Sequence, residues 1–193
     1  MASEVSICNQ ALGWLGANLI TSLDDEGTEA VLCKANYSHL RDAVLEEADW
    51  TFATRRFKLV GSPVEPVYGY AHKFQIPNDA LRLISATNRK DNKNATDDFD
   101  WRREENFILA DDTVVYSKMV VRITDPKRFS FMFIQALAYR IAAELATPLT
   151  ESRTKEEKMQ QMYEHRINKA KASDGSQGKS DRIKSNSSIL RRR

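Results

Sequence analysis

The sequence has few of the features that mark membrane, secreted or metal-binding proteins. Within its 193 residues, no apolar run approaches the roughly eighteen needed for a membrane-spanning helix. The first ten residues lack the basic start and apolar stretch of a signal peptide, so we expect the chain to stay in the cytosol until it is used. Its two cysteines, Cys8 and Cys33, exclude a disulfide framework and are too few for a structural zinc site. Both lie on predicted apolar helix faces and are expected to be small core residues.

Catalytic motifs are also scarce. The histidines His39, His72 and His165 fall on different predicted elements and lack the spacing of metal-binding helices, so no metal or other cofactor is predicted. The chain has no glycine-rich phosphate-binding loop and no G-x-S-x-G nucleophile motif. These observations favour a protein that is not an enzyme.

A group of carboxylates offers one enzymatic alternative, a glycosidase that acts on envelope glycans. Such an enzyme needs two acids, one of them in an apolar pocket that raises its pKa. The surroundings of this group are rich in charge, which favours a solvated loop instead. The acids are Asp97, Asp98, Asp100, Glu104 and Glu105.

The formal net charge of +2 is divided unevenly along the chain. Residues 169–193 contain eight basic and two acidic side chains, a net charge of +6, whereas the remaining residues carry 21 basic and 25 acidic side chains, a net charge of −4. The sequence therefore describes an acidic body with a basic tail.

Two helices are predicted at the start of the chain. Apolar residues recur every three or four positions over residues 5–15, with Gly16 as a C-terminal cap. A second apolar stripe over residues 33–48 predicts a longer helix, whose N-terminus Asp24 and Asp25 can cap. We expect the two helices to pack as an antiparallel pair.

β-rich runs follow, separated by proline, glycine, asparagine and aspartate. Residues 88–106 are the most polar part of this region and predict a protruding hairpin or loop. Lys118 alone separates the last two runs, which can form one strand with a bulge or kink. The runs cover residues 57–60, 73–76, 81–86, 106–110, 113–117 and 119–124.

Helical patterns return after the β-rich region. Residues 125–126, Asp-Pro, are typical of a helix start. Residues 129–146 are apolar on most faces, which predicts a helix in a core or between subunits, and Pro148 is expected to end it. Thr154 and Glu157 have the capping-box spacing for a last helix.

The predicted fold class is α+β, mainly α: an antiparallel helical bundle with an inserted β-rich domain and an extended C-terminal tail. Residues 1–49 supply the first two bundle helices, 50–124 the β-rich insertion, 125–172 the last two helices and 173–193 the basic tail.

The basic tail allows two interpretations. Its arginines at 191–193 could contact nucleic-acid phosphates, which predicts a DNA-binding module. Ile183, Ile189 and Leu190 are interleaved with the charges and suit a segment that folds onto another protein, because buried apolar area offsets the entropy of ordering. The residues alone leave both interpretations open.

An ordered set of motifs resembles the tail tubular protein A family, the head-to-tail adaptors of short-tailed bacteriophages. The resemblance covers about residues 3–172. Where such proteins often have His-Pro before the tryptophan, this chain has Ala48 and Asp49, which affects only the local turn. The motifs are A-L-G-W-L-G (11–16), I-T-S-L-D-D-E-G-T-E-A (20–30), C-x-x-x-Y (33–37), R-D-A-V-L (41–45), D-W-T-F-A-x-x-R (49–56), Y-A-H-K-F-Q-I-P-N-D-A-L-R-L (70–83), T-D-P (124–126) and A-L-A-Y-R-I-A-A-E-L-A (136–146).

The resemblance implies a structural protein in the neck and tail of the virion, which is present in the host cytoplasm during assembly. It implies a homo-oligomeric ring of about twelve copies that joins the portal to the tail nozzle. Tail fibres or spikes are further possible partners. Double-stranded DNA would pass through the ring without sequence-specific contacts, and no membrane would be bound.

The resemblance also implies roles for two groups of residues. Trp50, Phe52, Arg55 and Arg56 would form the junction between the bundle and the β-rich insertion. The C-terminal extension would dock on the portal, which favours the protein-binding interpretation of the tail. The docking residues would be Arg182, Ile183, Lys184, Ile189, Leu190, Arg191, Arg192 and Arg193.

Overall fold

The structure is a computed structural model that describes residues 2–91 and 99–177. Within these residues it is a mixed α+β fold with four α-helices and two small antiparallel sheets. None of the described helices is long and apolar enough to cross a membrane. The helices are α1 (Glu4–Leu15), α2 (Thr28–Glu46), α3 (Phe131–Thr150) and α4 (Arg153–Gly175). The strands are β1 (Thr54–Lys58), β2 (His72–Gln75), β3 (Ala80–Thr87), β4 (Trp101–Glu104), β5 (Phe107–Ala110) and β6 (Tyr116–Val121).

The first two helices form where the apolar stripes predict them, but one predicted cap is wrong. Gly16 ends α1 in the left-handed conformation, as predicted (φ 72°). The N-cap of α2 is Gly27, so no side chain caps this helix. Asp25 instead accepts hydrogen bonds from the backbone N–H groups of Thr21 (2.9 Å) and Ser22 (3.0 Å), which lower the pKa of its carboxyl. The carboxylate shapes the loop before α2 rather than the helix end.

The prediction that Pro148 ends the third helix is also wrong. A short 3₁₀ helix (Pro126–Arg128) comes first, and α3 then begins after Ser130, whose hydroxyl accepts from the N–H of Phe133. The helix continues through Pro148 to Thr150. Proline costs a helix one hydrogen bond and crowds the preceding turn. Pro148 lies in the last turn of α3, so the lost hydrogen bond affects only the end of the helix.

The turn into α4 corrects another predicted cap. Glu151 has a positive φ of 52° and ends α3. Ser152 is therefore the first extended residue, and its hydroxyl accepts the N–H of Lys155, so Ser152 rather than Thr154 caps α4. The helix then runs to Gly175, three residues beyond the predicted end at 172.

The β-rich region contains two three-stranded sheets. Sheet A has the strand order β1-β6-β3, and sheet B has the order β2-β5-β4. Lys118 lies within the single strand β6, and the register irregularities fall on the opposite strand β3. Strands β4 and β5 form a hairpin at the end of the polar segment 88–106, with Glu105 (φ 48°) in its turn.

Helix α3 is the centre of the helical part. It packs against α4, α1 and α2, whereas α1 and α2 contact each other only slightly. The predicted pairing of the first two helices is thus largely indirect, through α3. The reason is visible in α3 itself, whose buried residues occupy several faces and need neighbours on each.

Sheet A lies between two apolar cores. Val120 and Ile123 belong to the larger core, which the helices form. Met119 belongs to a smaller core with Phe74 and Ile108 of sheet B. Because neighbouring strand residues point to opposite faces, β6 contributes to both cores.

We expect the helical core to tolerate loss of an exposed phenylalanine but not of a buried one. Phe133 is fully buried in α3, whereas Phe131 is 68% exposed on the same helix. Phe133→Ala should lower the free energy of unfolding by about 3–5 kcal/mol, and the control Phe131→Ala by less than about 1 kcal/mol. Urea denaturation of both variants measures the difference, and equal losses would contradict the described packing.

Candidate functional site

The three histidines lie on three separate elements, α2 (His39), β2 (His72) and α4 (His165). His39 and His165 are exposed. In the described part of the chain, no group of three or more His, Cys, Asp or Glu side chains is placed to hold a metal ion. Cys8 and Cys33 are buried free thiols in the helical core, as predicted. A hydrogen bond to Cys33 and then burial raise the pKa of Cys8, so this thiol stays protonated.

Aromatic side chains join the helices to the start of the β-rich region. Trp50 is fully buried, and its indole N–H donates to the Val44 carbonyl of α2 (3.0 Å). Its ring meets Phe133 of α3 edge-on, with 5.2 Å between centroids. Phe52 lies 5.2 Å from Phe133 and 5.9 Å from Phe129 by the same measure. The four rings form one continuous aromatic cluster.

Arg55 and Arg56 lie apart from this cluster. Both are exposed on β1, an edge strand of sheet A. Arg55 makes a long ion pair with Asp79 (3.8 Å), of a kind that contributes little to stability at a surface. Of the four residues assigned to the junction, the structure brings together Trp50 and Phe52.

The C-terminal end of α4 is attached to the same junction. Asp174 is 6% exposed, and its carboxylate accepts hydrogen bonds from the backbone N–H of Thr51 (2.7 Å) and from the Thr51 hydroxyl (2.9 Å). These bonds join positions 123 residues apart in the chain. They fix the position of the C-terminal end of α4 against the junction.

Charged pairs surround this attachment point. Arg82 of β3 pairs with Asp49, and Lys171 of α4 pairs with Glu47 at the end of α2 (3.1 Å). The Tyr163 hydroxyl also donates to Glu47, and burial followed by this hydrogen bond raises the pKa of the phenol. A groove of about 420 Å³ is lined by both ion pairs and by Asp174.

The residues predicted to dock on the portal lie outside the described residues, as do Asp97 and Asp98. Position 177 is the last for which the structure gives a conformation. The described part therefore supplies the attachment point of the tail, whereas the tail itself remains a sequence-based expectation.

A second surface feature is a cleft of about 730 Å³ on the outer face of sheet B. The loop of residues 60–71 covers this face, and its start extends the sheet, because the Ser62 N–H donates to the Lys73 carbonyl (2.8 Å). The far end of the loop is held where the Ala71 N–H donates to Asp111 (2.9 Å). The floor includes Phe107 and the buried Leu109.

Three of the five candidate carboxylates, Asp100, Glu104 and Glu105, line this cleft. All three are exposed, so none has the apolar surroundings that a glycosidase uses to keep an acid protonated. The Tyr70 hydroxyl donates to Asp100 (3.3 Å), and desolvation together with the nearby Asp100 carboxylate raises the pKa of Tyr70. The arrangement is that of a polar rim around an apolar floor.

Sequence reasoning missed two of these features. Asp174 lies among serine, glycine and lysine and has the composition of a solvated tail, so nothing local signals its burial. The apolar residues Val64, Val67 and Tyr68 do give a signal. They lie between turn residues, away from any strand pattern, and are 62%, 98% and 87% exposed. Exposed apolar residues in one loop often mark an interaction site.

We expect Asp174→Ala to release the end of α4 from the junction. Loss of the carboxylate leaves the Thr51 N–H without its partner, which should lower the free energy of unfolding by about 1–3 kcal/mol. Hydrogen exchange of the Thr51 amide should accelerate in the same variant. The control is Ser173→Ala at the exposed neighbouring position. Unchanged protection of Thr51 in D174A would contradict the proposed anchor.

Comparison with known proteins adds no relative to this description. No protein-family model matches the chain, and no curated protein matches it. The resemblance to tail tubular adaptors therefore depends on the ordered motifs, and the function has to be argued from these motifs and the described surfaces.

Proposed function

We propose that the protein is a non-enzymatic head-to-tail adaptor of a short-tailed bacteriophage. Its copies would form a ring of about twelve between the portal and the tail nozzle. The observation that carries this proposal is the ordered set of motifs that resembles tail tubular adaptors, and the anchored end of α4, where the buried Asp174 is bonded to Thr51, supports it. This anchor gives the basic segment a fixed point of departure beside the junction of helices and sheet A.

The distribution of charge supports separate roles for the body and the tail. Residues 1–177 contain 23 basic and 26 acidic side chains, a net charge of −3, whereas residues 178–193 contain six basic and one acidic, a net charge of +5. A net negative body disfavours phosphate contacts and suits a ring through which DNA has to pass. The positive segment is concentrated beyond the anchor.

The composition of the segment favours a protein partner. Ile183, Ile189 and Leu190 supply apolar anchors, and the neighbouring arginines can meet acidic groups around them. Sixteen extended residues reach about 50 Å from the anchor, which is enough to extend over a neighbouring subunit. We therefore assign the portal as the partner of this segment, with the ring surface left for the nozzle.

The acidic cleft on sheet B does not support the glycosidase alternative, because its candidate acids are exposed. The DNA-binding alternative uses the same basic segment, and the two experiments below distinguish it from portal docking.

Deletion of residues 178–193 should leave a folded protein that no longer attaches to portal rings. The cut has to follow Gln177, because removal of Asp174 would also remove the anchor at Thr51. Affinity for purified portal should fall at least about 100-fold, since the apolar anchors are lost together. Circular dichroism checks the fold, and sedimentation with portal rings measures binding. Attachment at the affinity of the full chain would overturn the proposal.

A charge-matched variant distinguishes portal binding from DNA binding by the segment. Replacing Ile183, Ile189 and Leu190 by serine keeps every charge and removes the apolar anchors. Portal docking predicts loss of portal binding with little change in DNA binding. A DNA-binding module predicts strong affinity of the parent chain for duplex DNA, falling with salt at a logarithmic slope of about −5 for six basic residues. Such a slope, together with unchanged portal binding in the serine variant, would favour the alternative.

A further inference from the structure

The cleft on sheet B has a lining that combines apolar and charged side chains, and the described part of the chain leaves it open. Val67 and Tyr68 on the 60–71 loop are almost fully exposed, at 98% and 87%. Together with Phe107 and Leu109 of β5, which form the floor, they line the cleft. The loop is held at both ends, by Ser62 bonded to β2 and by Ala71 bonded to Asp111. The cleft is therefore a built groove rather than a gap beside a loose loop.

The rim of the groove is acidic. Five acids and two basic residues line it, a net charge of −3. The Lys73 ammonium lies over the Phe107 ring, 4.9 Å from its centroid. Glu65, Glu104 and Glu105 are exposed at the edges. A ligand of this groove should combine positive charge with apolar side chains. The remaining charged lining residues are Asp100, Asp111 and Arg102.

The chain itself contains one segment with this composition outside the described residues. Residues 178–193 carry a net charge of +5 and include Ile183, Ile189 and Leu190. The last two are followed directly by Arg191, Arg192 and Arg193, so that apolar and basic side chains are adjacent in the segment, as the apolar floor and the acidic rim are in the groove. Opposite charges on the two surfaces favour encounter and correct orientation.

We propose that residues 178–193 bind in the cleft between the 60–71 loop and the outer face of sheet B. The isoleucine and leucine side chains contact Val67, Tyr68 and the floor, and the basic side chains meet the acidic rim. Because a segment in this groove cannot lie on another protein at the same time, the groove holds the tail until a stronger partner removes it. The binding itself is independent of the proposed function, and only the identity of the competing partner depends on it.

A photo-crosslinker in the full chain tests the proposal. We would replace Tyr68, which is exposed and so tolerant of change, with p-benzoylphenylalanine and identify crosslinked peptides by mass spectrometry after illumination. The expected product joins position 68 to a peptide from residues 178–193. The control places the same group at Phe131, an exposed position on α3, where no such product is expected. Crosslinks at position 68 to other segments alone, no crosslink, or equal tail crosslinks from both positions would overturn the proposal.

Two variants test the chemistry of the contact. Glu65→Lys with Glu104→Lys reverses two rim charges and should lower the yield of the tail crosslink at least about fivefold. Ile189→Ser with Leu190→Ser keeps the charge of the tail and should lower the yield similarly, because the apolar anchors are gone. Circular dichroism confirms that both variants are folded. Unchanged yield in either variant would mean that the corresponding contact is wrong.

The outcomes remain separate from those of the portal experiment. If the tail crosslink is absent but deletion of residues 178–193 abolishes portal binding, the groove proposal fails and the adaptor proposal stands. If the crosslink forms and the deletion leaves portal binding intact, the groove proposal stands and portal docking by the tail fails.

Discussion

Packing of the other three helices around α3 is the main constraint on the described part of the protein. Helices α1, α2 and α4 each pack against α3, and Phe133 extends its apolar surface to Trp50 and Phe52 at the start of the β-rich region. A helix with apolar residues on several faces is stable only when each face is covered. The helical neighbours and the aromatic cluster provide that cover, and strands β3 and β6 of sheet A contact the helical part through α2.

Sheet A connects the helical core to sheet B. Its central strand β6 faces the helical core through Val120 and the smaller core through Met119. The two cores leave two kinds of surface: a junction where Asp174 attaches the end of α4, and an outer face of sheet B that the 60–71 loop only partly covers. The basic tail follows the junction, and its two proposed binding partners are the portal and the cleft of sheet B.

Much of the fold could be predicted, because it depends on local periodicity. The stripes of α1 and α2, the Gly16 cap and the hairpin that β4 and β5 form at the end of the polar segment needed only spacing and turn residues. Where prediction was wrong, several local signals competed. Pro148 was expected to end α3, yet the helix continues to Thr150, and Ser152 rather than Thr154 caps α4 because Glu151 reverses the chain first. Propensity gives such boundaries only to within a turn.

Composition and spacing were enough to predict the helical and β-rich regions, the division into an acidic body and a basic tail, and the apolar residues at the end of that tail. These properties need no contacts. Tertiary contacts were needed to bury Asp174 against Thr51, to leave Arg55 and Arg56 outside the aromatic junction, and to form the acidic cleft that Val67 and Tyr68 line. Each of these three features depends on residues that are distant in the chain, because the burial of a side chain and its ionic partners are set by what packs against it.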